Sequence, residues 1–346
     1  MSWTQEQILS RVVRYADLRP CTNAFIDART PGSDRKENFT IIGPGVSENP
    51  QQHVHVEIPH GFNIGAARQP AGCVNSQHSH ETAEVFVAHT GRWRFTIGEN
   101  GDDAAIELGA GDTISIPVHV FRGFANVGDG EGFLFAVLGG DDPGHVTWAP
   151  YVFSAARGHG LILLEDGRLI DTALGETVPQ GAVPKEPPSP DDLAGIRRMQ
   201  EHEIRQCVIA ARDLQQIAMQ PYPGVAGISE SPIVGQASKL EHMPAGQMAW
   251  PHGFHLRRVV IQSGCETPWH KRHEAEVLMM HSGRVDYRWD GRELRLGPGD
   301  VMTAPIGLDR QYANCGPEPA VVYVVRGGDL PAAYELSASD GRRQSA

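Results

Sequence analysis

The sequence lacks the features that mark several common classes of protein. Its 346 residues include only 5 cysteines, an odd number, and these stand singly at Cys21, Cys73, Cys207, Cys265 and Cys315. Such a set is unlike a disulfide framework or a zinc ribbon. No apolar run approaches the length that spans a bilayer, and the opening MSWTQEQILSRVVRY has no apolar core of a signal peptide. We therefore expect a cytoplasmic protein without a membrane partner.

Positive charge is also scarce. The chain has 30 lysines and arginines against 42 aspartates and glutamates, a net charge of −12. This balance argues against a nucleic-acid-binding surface, which needs a basic patch. The sequence also has no phosphate-binding glycine loop, no nucleophile elbow and no Cys-x-x-Cys pair. A small molecule is the partner that we expect.

Turn-forming residues are abundant. The 39 glycines and 25 prolines favour many turns over long helices. Short apolar alternations, such as EVFVAHTGRWRFTI and EVLMMHSGRVDYRW, lie between glycine turns, which is typical of small antiparallel barrels. The length favours two domains over one or three. We predict an all-β protein.

An internal repeat organises the chain. The segment PHGFNIGAARQPAGC at 59–73 recurs as PHGFHLRRVVIQSGC at 251–265. The same register continues without a gap and pairs His78 with His270, Glu84 with Glu276, His89 with His281, and Gly91 with Gly283. A longer polar turn near Gly98 in the first copy shifts the register once, after which Gly111 pairs with Gly299, Arg122 with Arg310, and Asn126 with Asn314.

The repeat predicts two copies of one domain with a linker between them. We expect the first domain at 1–165, a Pro-rich linker with a helix at 166–204, and the second domain at 205–346. Ser189 and Pro190 have the residue types of the cap and first position of a helix that covers DDLAGIRRMQEHEI. A matching helix is predicted from Thr4 to Tyr15. We expect these helices to pack against the barrels or to mediate dimerisation.

The first copy contains a candidate metal site. Gly72 is followed after five residues by His78, Ser79 and His80, then by Glu84, and then by Gly91. Side chains alternate along a strand, so His78, His80 and Glu84 can face one side and converge on a metal ion. The alternative is a hydrogen-bonded polar cluster in an empty barrel.

This spacing resembles the first conserved motif of the cupin superfamily, and Gly111, Pro117 and Asn126 resemble the second. The resemblance implies two tandem jelly-roll β-barrels with short flanking helices, a bicupin. It covers about 59–143 and 251–331 by register. The family usually has a histidine, the fourth metal ligand, where this sequence has Arg122 in the first copy and Arg310 in the second.

Arginine cannot replace that ligand, because its guanidinium is always charged and has no lone pair to donate. A metal in the first barrel would then have three protein ligands and open positions, as catalytic sites do. Arg122 is predicted either to clamp a substrate carboxylate or phosphate, or to form a salt bridge that neutralises Glu84. His119 lies at a strand entrance, where it is either an acid or base at the pocket mouth or a surface turn residue.

The second copy keeps fewer of these residues. His270 and Glu276 occupy ligand positions, but Arg272 stands where the first copy has His80. His273 is one residue off and would face the opposite side of a regular strand, unless a bulge turned it inward. We predict an ion-pair cluster here and no metal.

The resemblance implies a metal-dependent enzyme, and we expect a non-haem iron dioxygenase acting on a small acidic or aromatic compound. Two histidines and one carboxylate suit Fe(II), although manganese, nickel and zinc accept the same ligands. The chain resembles ring-cleaving bicupin dioxygenases of the gentisate type in size and duplication, but it keeps the motif glutamate and lacks the third histidine. The alternatives are a metal-dependent decarboxylase or isomerase, and a non-catalytic binding or storage protein. A homo-oligomer, most simply a homodimer, is expected.

Overall fold

The computed structural model describes residues 3–337. Its contacts divide the chain into two compact units. The first unit is Leu18–Ala211, and the second unit consists of Arg212–Ala346 with Met1–Asp17, within the described residues. The opening segment, which we predicted to belong to the first domain at 1–165, pairs with the second unit instead: Val12 lies opposite Met302 in antiparallel strands. Ile8 is buried in the hydrophobic core of the same unit.

The structure is mostly β, as predicted. In chain order, the strands up to residue 211 are β1 (Val12–Val13), β2 (Glu37–Ile42), β3 (Val54–Val56), β4 (Phe62–Gln69), β5 (Val74–Ser79), β6 (Glu84–Thr90), β7 (Trp93–Ile97), β8 (Ala104–Leu108), β9 (Thr113–Ile116), β10 (Arg122–Asn126), β11 (Gly132–Gly139), β12 (Thr147–Trp148), β13 (Leu161–Leu163), β14 (Leu169–Asp171) and β15 (Val208–Ile209). The later strands are β16 (Ile228–Val234), β17 (Phe254–Ile261), β18 (His270–Lys271), β19 (Glu276–Ser282), β20 (Val285–Trp289), β21 (Arg292–Leu296), β22 (Val301–Ala304), β23 (Gln311–Ala313), β24 (Ala320–Gly327) and β25 (Glu335–Leu336).

Two main sheets build each unit. In the first unit, one sheet has the strand order β15-β9-β6-β11-β4-β2-β3 and the other β12-β5-β10-β7-β8. In the second unit, the corresponding orders are β1-β22-β19-β24-β17-β16 and β21-β20-β23, with β18 and β25 as a separate pair. The shared core order of β9-β6-β11-β4 and β22-β19-β24-β17 confirms the repeat. The sheets do not close into a barrel but form a jelly-roll-like arrangement.

The helices are short and few: α1 (Gln5–Leu9), α2 (Pro150–Gly158), α3 (Pro190–Leu193), α4 (Glu201–Gln206) and α5 (Ala211–Leu214). Short 3-10 turns lie at Tyr15–Asp17 and Thr172–Leu174. None of the helices within residues 3–337 has the length and apolar character needed to traverse a bilayer.

Two of the predicted helices begin where expected but end early. The Thr4 hydroxyl caps α1 by accepting from the backbone N of Gln7 at 3.2 Å, yet α1 ends at Leu9 because β1 follows it. Ser189 caps α3 in the same way, through Asp192. The single helix predicted over DDLAGIRRMQEHEI is wrong, because the segment forms two short helices, α3 and α4. The first ends at Leu193, two residues before Gly195. A glycine in a helix interior costs about 1 kcal/mol relative to alanine.

Candidate metal centre

The three candidate ligands come from two different sheets. His78 lies in β5, His80 follows the end of that strand, and Glu84 is the first residue of β6 in the other sheet. The prediction that they share a face of one strand is therefore too simple. They meet because the chain crosses from one sheet to the other between His80 and Glu84, so both imidazoles and the carboxylate point between the sheets.

The cluster has the dimensions of a metal site. One ligand atom from each of His78, His80 and Glu84 lies within 4.8 Å of the others, and all three residues are buried. Nε2 of His80 is 3.6 Å from Oε2 of Glu84. No other group of three such side chains is found within residues 3–337.

A hydrogen bond to His78 and the burial of both rings prepare the imidazoles to bind a cation. Nδ1 of His78 donates to the carbonyl oxygen of Ser76 at 2.8 Å, which leaves Nε2 unprotonated and able to coordinate. The Asn75 amide nitrogen lies 3.3 Å from the same Nδ1 and cannot donate to it while Nδ1 carries its proton. Burial, assisted by the Arg122 charge, lowers the pKa of His78 and of His80 well below the usual value, so both rings are neutral. Two neutral imidazoles and a carboxylate fit a divalent cation.

Arg122 is paired with Glu84. Its Nη2 and Nε donate to Oε2 of Glu84 at 2.6 and 3.2 Å, and the guanidinium has no exposed surface. Burial raises the pKa of Glu84, and Arg122 opposes that shift. The structure thus shows the salt bridge of the second alternative, and a direct contact of Arg122 with substrate stays a prediction. Oε1 of Glu84 takes no part in this pair.

His119 lies at the surface, and only its backbone contacts a residue of the site. Its side chain is exposed, its φ is 55°, and its backbone N donates to the carbonyl oxygen of His80 at 3.1 Å. A left-handed φ is uncommon for a residue other than glycine and indicates a tight turn. The turn supports the loop that carries His80, and a role for the His119 ring in acid–base chemistry stays a prediction.

A cavity of about 80 Å³ adjoins the cluster between the two sheets. Small residues of β4 and β11 leave room for it, namely Gly65, Ala67 and Ala136. The lining also includes aromatic residues, namely Phe25, Phe39, Phe86, Phe124 and Trp148. Trp93, Phe95 and Phe121 are also buried but lie outside this lining.

Several residues of the site are not part of the repeat or its motif. Lys36 and Asp27 form a fully buried ion pair, and Nζ of Lys36 also donates to Oδ1 of Asn75 at 2.8 Å. Asn38 and Gln52 line the cavity. All of these except Asn75 precede the first repeated segment, so no spacing relation in the sequence could have linked them to the histidines. The alternation of Asn38 and Thr40 with Phe39 and Ile41 is the one weak signal that this strand presents polar groups inward.

The second unit has an ion-pair network at the equivalent place, which confirms the predicted cluster. Nη2 of Arg310 is 2.7 Å from Oε1 of Glu276, and Nε of Arg272 is 2.8 Å from Oε2 without hydrogen-bond geometry. Burial alone would raise the pKa of Glu276, but Arg310 and Arg272 lower it. The network continues through further buried or largely buried side chains: Arg257, Arg326, Glu230, Glu241 and Glu274.

The second unit keeps one feature of a metal ligand. Nδ1 of His270 donates to the carbonyl oxygen of Pro268 at 2.9 Å, as His78 does to Ser76, and its buried Nε2 has no hydrogen-bond partner in the described chain. Burial and the two arginines lower the pKa of His270 to about 3. His273 does not turn inward: its ring is half exposed and lies 3.1 Å from Glu335. Arginine side chains therefore occupy the place of the second imidazole.

Acid is expected to weaken the second unit through Glu241. Burial alone would raise its pKa, but Arg326, Arg257 and Arg272 lower it to about 2. Its contribution to stability is therefore complete above the ordinary value near 4.5 and is lost as the pH falls towards about 2. Melting temperatures of the wild type and Glu241→Gln between about pH 7 and pH 3 test this. The variant should melt lower at pH 7 and change less with pH; equal pH slopes would contradict the assignment.

Comparisons with known proteins agree with this architecture. The family profile described as Cupin domain matches residues 67–138 and 257–326. The structure of oxalate decarboxylase from Bacillus subtilis at pH 4.6 is similar with a TM-score of 0.54 at 14% sequence identity, over 94% of this chain and 78% of that chain. The formate complex of Lactobacillus farciminis oxalate decarboxylase is similar with a TM-score of 0.54 at 14% identity, over 94% of this chain and 88% of that one. A search of curated proteins finds no match. At such identities the structural likeness shows the fold alone.

Proposed function

We propose that this chain, which belongs to the cupin superfamily as a bicupin, is a metal-dependent enzyme that decarboxylates a small carboxylic acid in its first unit. The observation that carries the proposal is the buried His78–His80–Glu84 cluster in the wall of an apolar cavity. The fold shared with two oxalate decarboxylases supports it. In the second unit, arginines pair with Glu276 at the equivalent place, so we assign that unit a structural role.

The ligands, the apolar walls and Arg122 of the first unit would each have a separate role in this reaction. A divalent cation on His78, His80 and Glu84 would supply a Lewis acid for a substrate carboxylate. The apolar walls exclude water and take that carboxylate out of its hydration shell. The bond between the carboxyl carbon and its neighbour then breaks and CO₂ leaves, an electron-withdrawing group such as a carbonyl beside that neighbour takes up the electron pair, and a proton from solvent bonds to the neighbour. Arg122 holds the Glu84 carboxylate in place by two hydrogen bonds.

A dicarboxylate longer than oxalate suits this cavity poorly. Glu84 is the only charged side chain in its lining within residues 3–337, and the guanidinium of Arg122 is occupied by that carboxylate. A second carboxylate that cannot reach the cation would therefore lie among apolar groups without a counter-ion, which is unfavourable. We expect a monocarboxylic acid with an apolar body.

An Fe(II) dioxygenase is the second candidate. Two histidines and one carboxylate are the ligand set of non-haem iron oxygenases, and the arginine at the fourth position leaves coordination sites open. The same apolar cavity would accept an aromatic acid. Oxygen consumption distinguishes this candidate from the decarboxylase.

The experiment starts from full-length protein that has been stripped of metal and reloaded separately with Mn²⁺, Fe²⁺, Ni²⁺ and Zn²⁺ under anaerobic conditions. Small mono- and dicarboxylic acids, oxalate included, are then tested for CO₂ release and for oxygen uptake, with His78→Ala as the control. CO₂ release without oxygen uptake, absent in the control, supports decarboxylation. Stoichiometric oxygen uptake favours the dioxygenase, and metal binding without turnover favours a binding protein.

A small acidic substrate and a homo-oligomeric state belong to the same proposal. The substrate carboxylate would be the anionic ligand of the cation. Light scattering coupled to size-exclusion chromatography measures the oligomeric state directly, and a mass equal to one chain would contradict the expected homodimer.

A further inference from the structure

We infer that the substrate of the first unit carries a hydroxyl group at the end of its apolar body remote from the carboxylate, and that Asn38 and Gln52 bind this hydroxyl. The inference rests on the proposed function, because it takes the carboxylate to lie at the His78–His80–Glu84 cluster. It adds a recognition site at the other end of the cavity.

Besides Nδ1 of the candidate ligand His80, two buried polar atoms of the cavity lining have no hydrogen-bond partner within residues 3–337. They are Nδ2 of Asn38 and Oε1 of Gln52. Asn38 is only 6% exposed. Each buried polar atom without a partner costs about 1 to 3 kcal/mol, and native structures contain few of them. A ligand that supplied both partners would remove this cost.

The amide groups are fixed in position by the strand that carries them. Asn38 and Thr40 are two residues apart in β2, so their side chains emerge on the same face. Nε2 of Gln52 donates to Oγ1 of Thr40 at 2.7 Å, which anchors the Gln52 side chain beside Asn38. A donor and an acceptor are thus held on one wall of the cavity.

This wall lies across the sheet from Glu84. The strand order β6-β11-β4-β2 places three strand spacings between Glu84 and Asn38, about 14 Å along the sheet. The intervening wall consists of Gly65, Ala67 and Ala136, which offer no side-chain hydrogen bond. A ligand that reaches from one end to the other therefore needs an apolar middle.

The charge of the site selects a neutral group at the Asn38 end. No lysine or arginine lines the cavity within residues 3–337. The two buried cations nearby are already paired, Arg122 with Glu84 and Lys36 with Asp27. A second carboxylate would be buried without a counter-ion. A hydroxyl can accept from an amide nitrogen and donate to an amide oxygen at once, which matches the two free atoms.

The test measures binding by calorimetry on the full chain loaded with Mn²⁺. The probes are ω-hydroxy monocarboxylates of about four to six carbons, the acids with a methyl group in place of the hydroxyl, and the matching dicarboxylates. One buried hydrogen bond corresponds to about a tenfold change in affinity. The wild type is expected to bind the best hydroxy acid about tenfold more tightly than its methyl and dicarboxylate counterparts.

Asn38→Leu and Gln52→Met remove the polar atoms at similar volume, and both should bring the hydroxy and methyl acids to about equal affinity. Leu134→Met, a volume-conserving change in the same lining, should keep the preference. Equal binding of hydroxy and methyl acids by the wild type, or an unchanged preference in Asn38→Leu, would overturn the inference.

A metal-free arm separates this inference from the proposed function. Primary alcohols of the same length are titrated into metal-free wild type and Asn38→Leu, since the hydroxyl site needs no cation. Acid binding that is unaffected by metal removal or by His78→Ala refutes the proposed function, while alcohol binding that falls about tenfold in Asn38→Leu still supports the hydroxyl site. Failure of both acids and alcohols to bind overturns the inference.

Discussion

Glutamine in place of Glu276 is expected to lower the free energy of unfolding of the second unit by about 3 to 5 kcal/mol, because it leaves buried charge without its partner. Arg272 and Arg310 both lie within 2.8 Å of the Glu276 carboxylate, and the hydroxyl of Tyr312 donates to it as well. Urea unfolding followed by tryptophan fluorescence measures the loss. The metal content of the protein should stay unchanged.

The control for this change is Glu293→Gln in the same unit. Glu293 lies 3.5 Å from Arg288, but its side chain is 60% exposed. A surface pair of this kind is worth about 0 to 1 kcal/mol, so this variant should unfold like the wild type. A similar small effect from Glu276→Gln would show that the network does not hold the second unit together.

Methionine in place of Arg122 is expected to destabilise the metal-free protein by about 3 kcal/mol and to make it gain more stability from a divalent cation than the wild type does. The change leaves the Glu84 carboxylate buried without its counter-ion, since the two hydrogen bonds described above for that carboxylate come from Arg122. A cation on His78, His80 and Glu84 would replace the lost charge. Melting temperatures with and without Mn²⁺ give both quantities.

Arg310→Met is the matched variant, because Arg310 pairs with Glu276 as Arg122 pairs with Glu84. It should also lower the melting temperature, but Mn²⁺ should not restore it, since Arg272 stands where the first unit has its second imidazole. If Mn²⁺ restored both variants equally, or neither, the difference between the two units would be refuted. A loss of substrate affinity in Arg122→Met, with stability unchanged, would instead support the substrate clamp.

The repeat is the part of the fold that the sequence predicts best. Residues shared between the copies, such as Glu84 and Glu276, occupy the first position of equivalent strands, β6 and β19. The helices were predicted less well because local signals fix where a helix begins but not where it ends. Thr4 caps α1 as expected, and yet strand pairing of Val12 with Met302, a contact distant in sequence, ends the helical segment early.

The candidate site was predictable only in part. The motif spacing identified His78, His80 and Glu84, and the structure brings them together. The choice between the two readings of Arg122 required the observed 2.6 Å contact, because an inward arginine can bind either a carboxylate of the protein or one of a ligand. Asn38 and Gln52 have ordinary residue types in a segment outside the repeat, and only the cavity shows their position.

The central claim is that the first unit holds the metal of this chain and the second unit holds none. Elemental analysis of protein reconstituted with Mn²⁺ and freed of excess metal tests it most directly, on the wild type, His78→Ala and His270→Ala. The two histidines occupy equivalent positions and make equivalent bonds to a backbone carbonyl oxygen. We expect about one equivalent in the wild type and in His270→Ala, and almost none in His78→Ala. A full equivalent in His78→Ala, or a loss of metal in His270→Ala, would contradict the account.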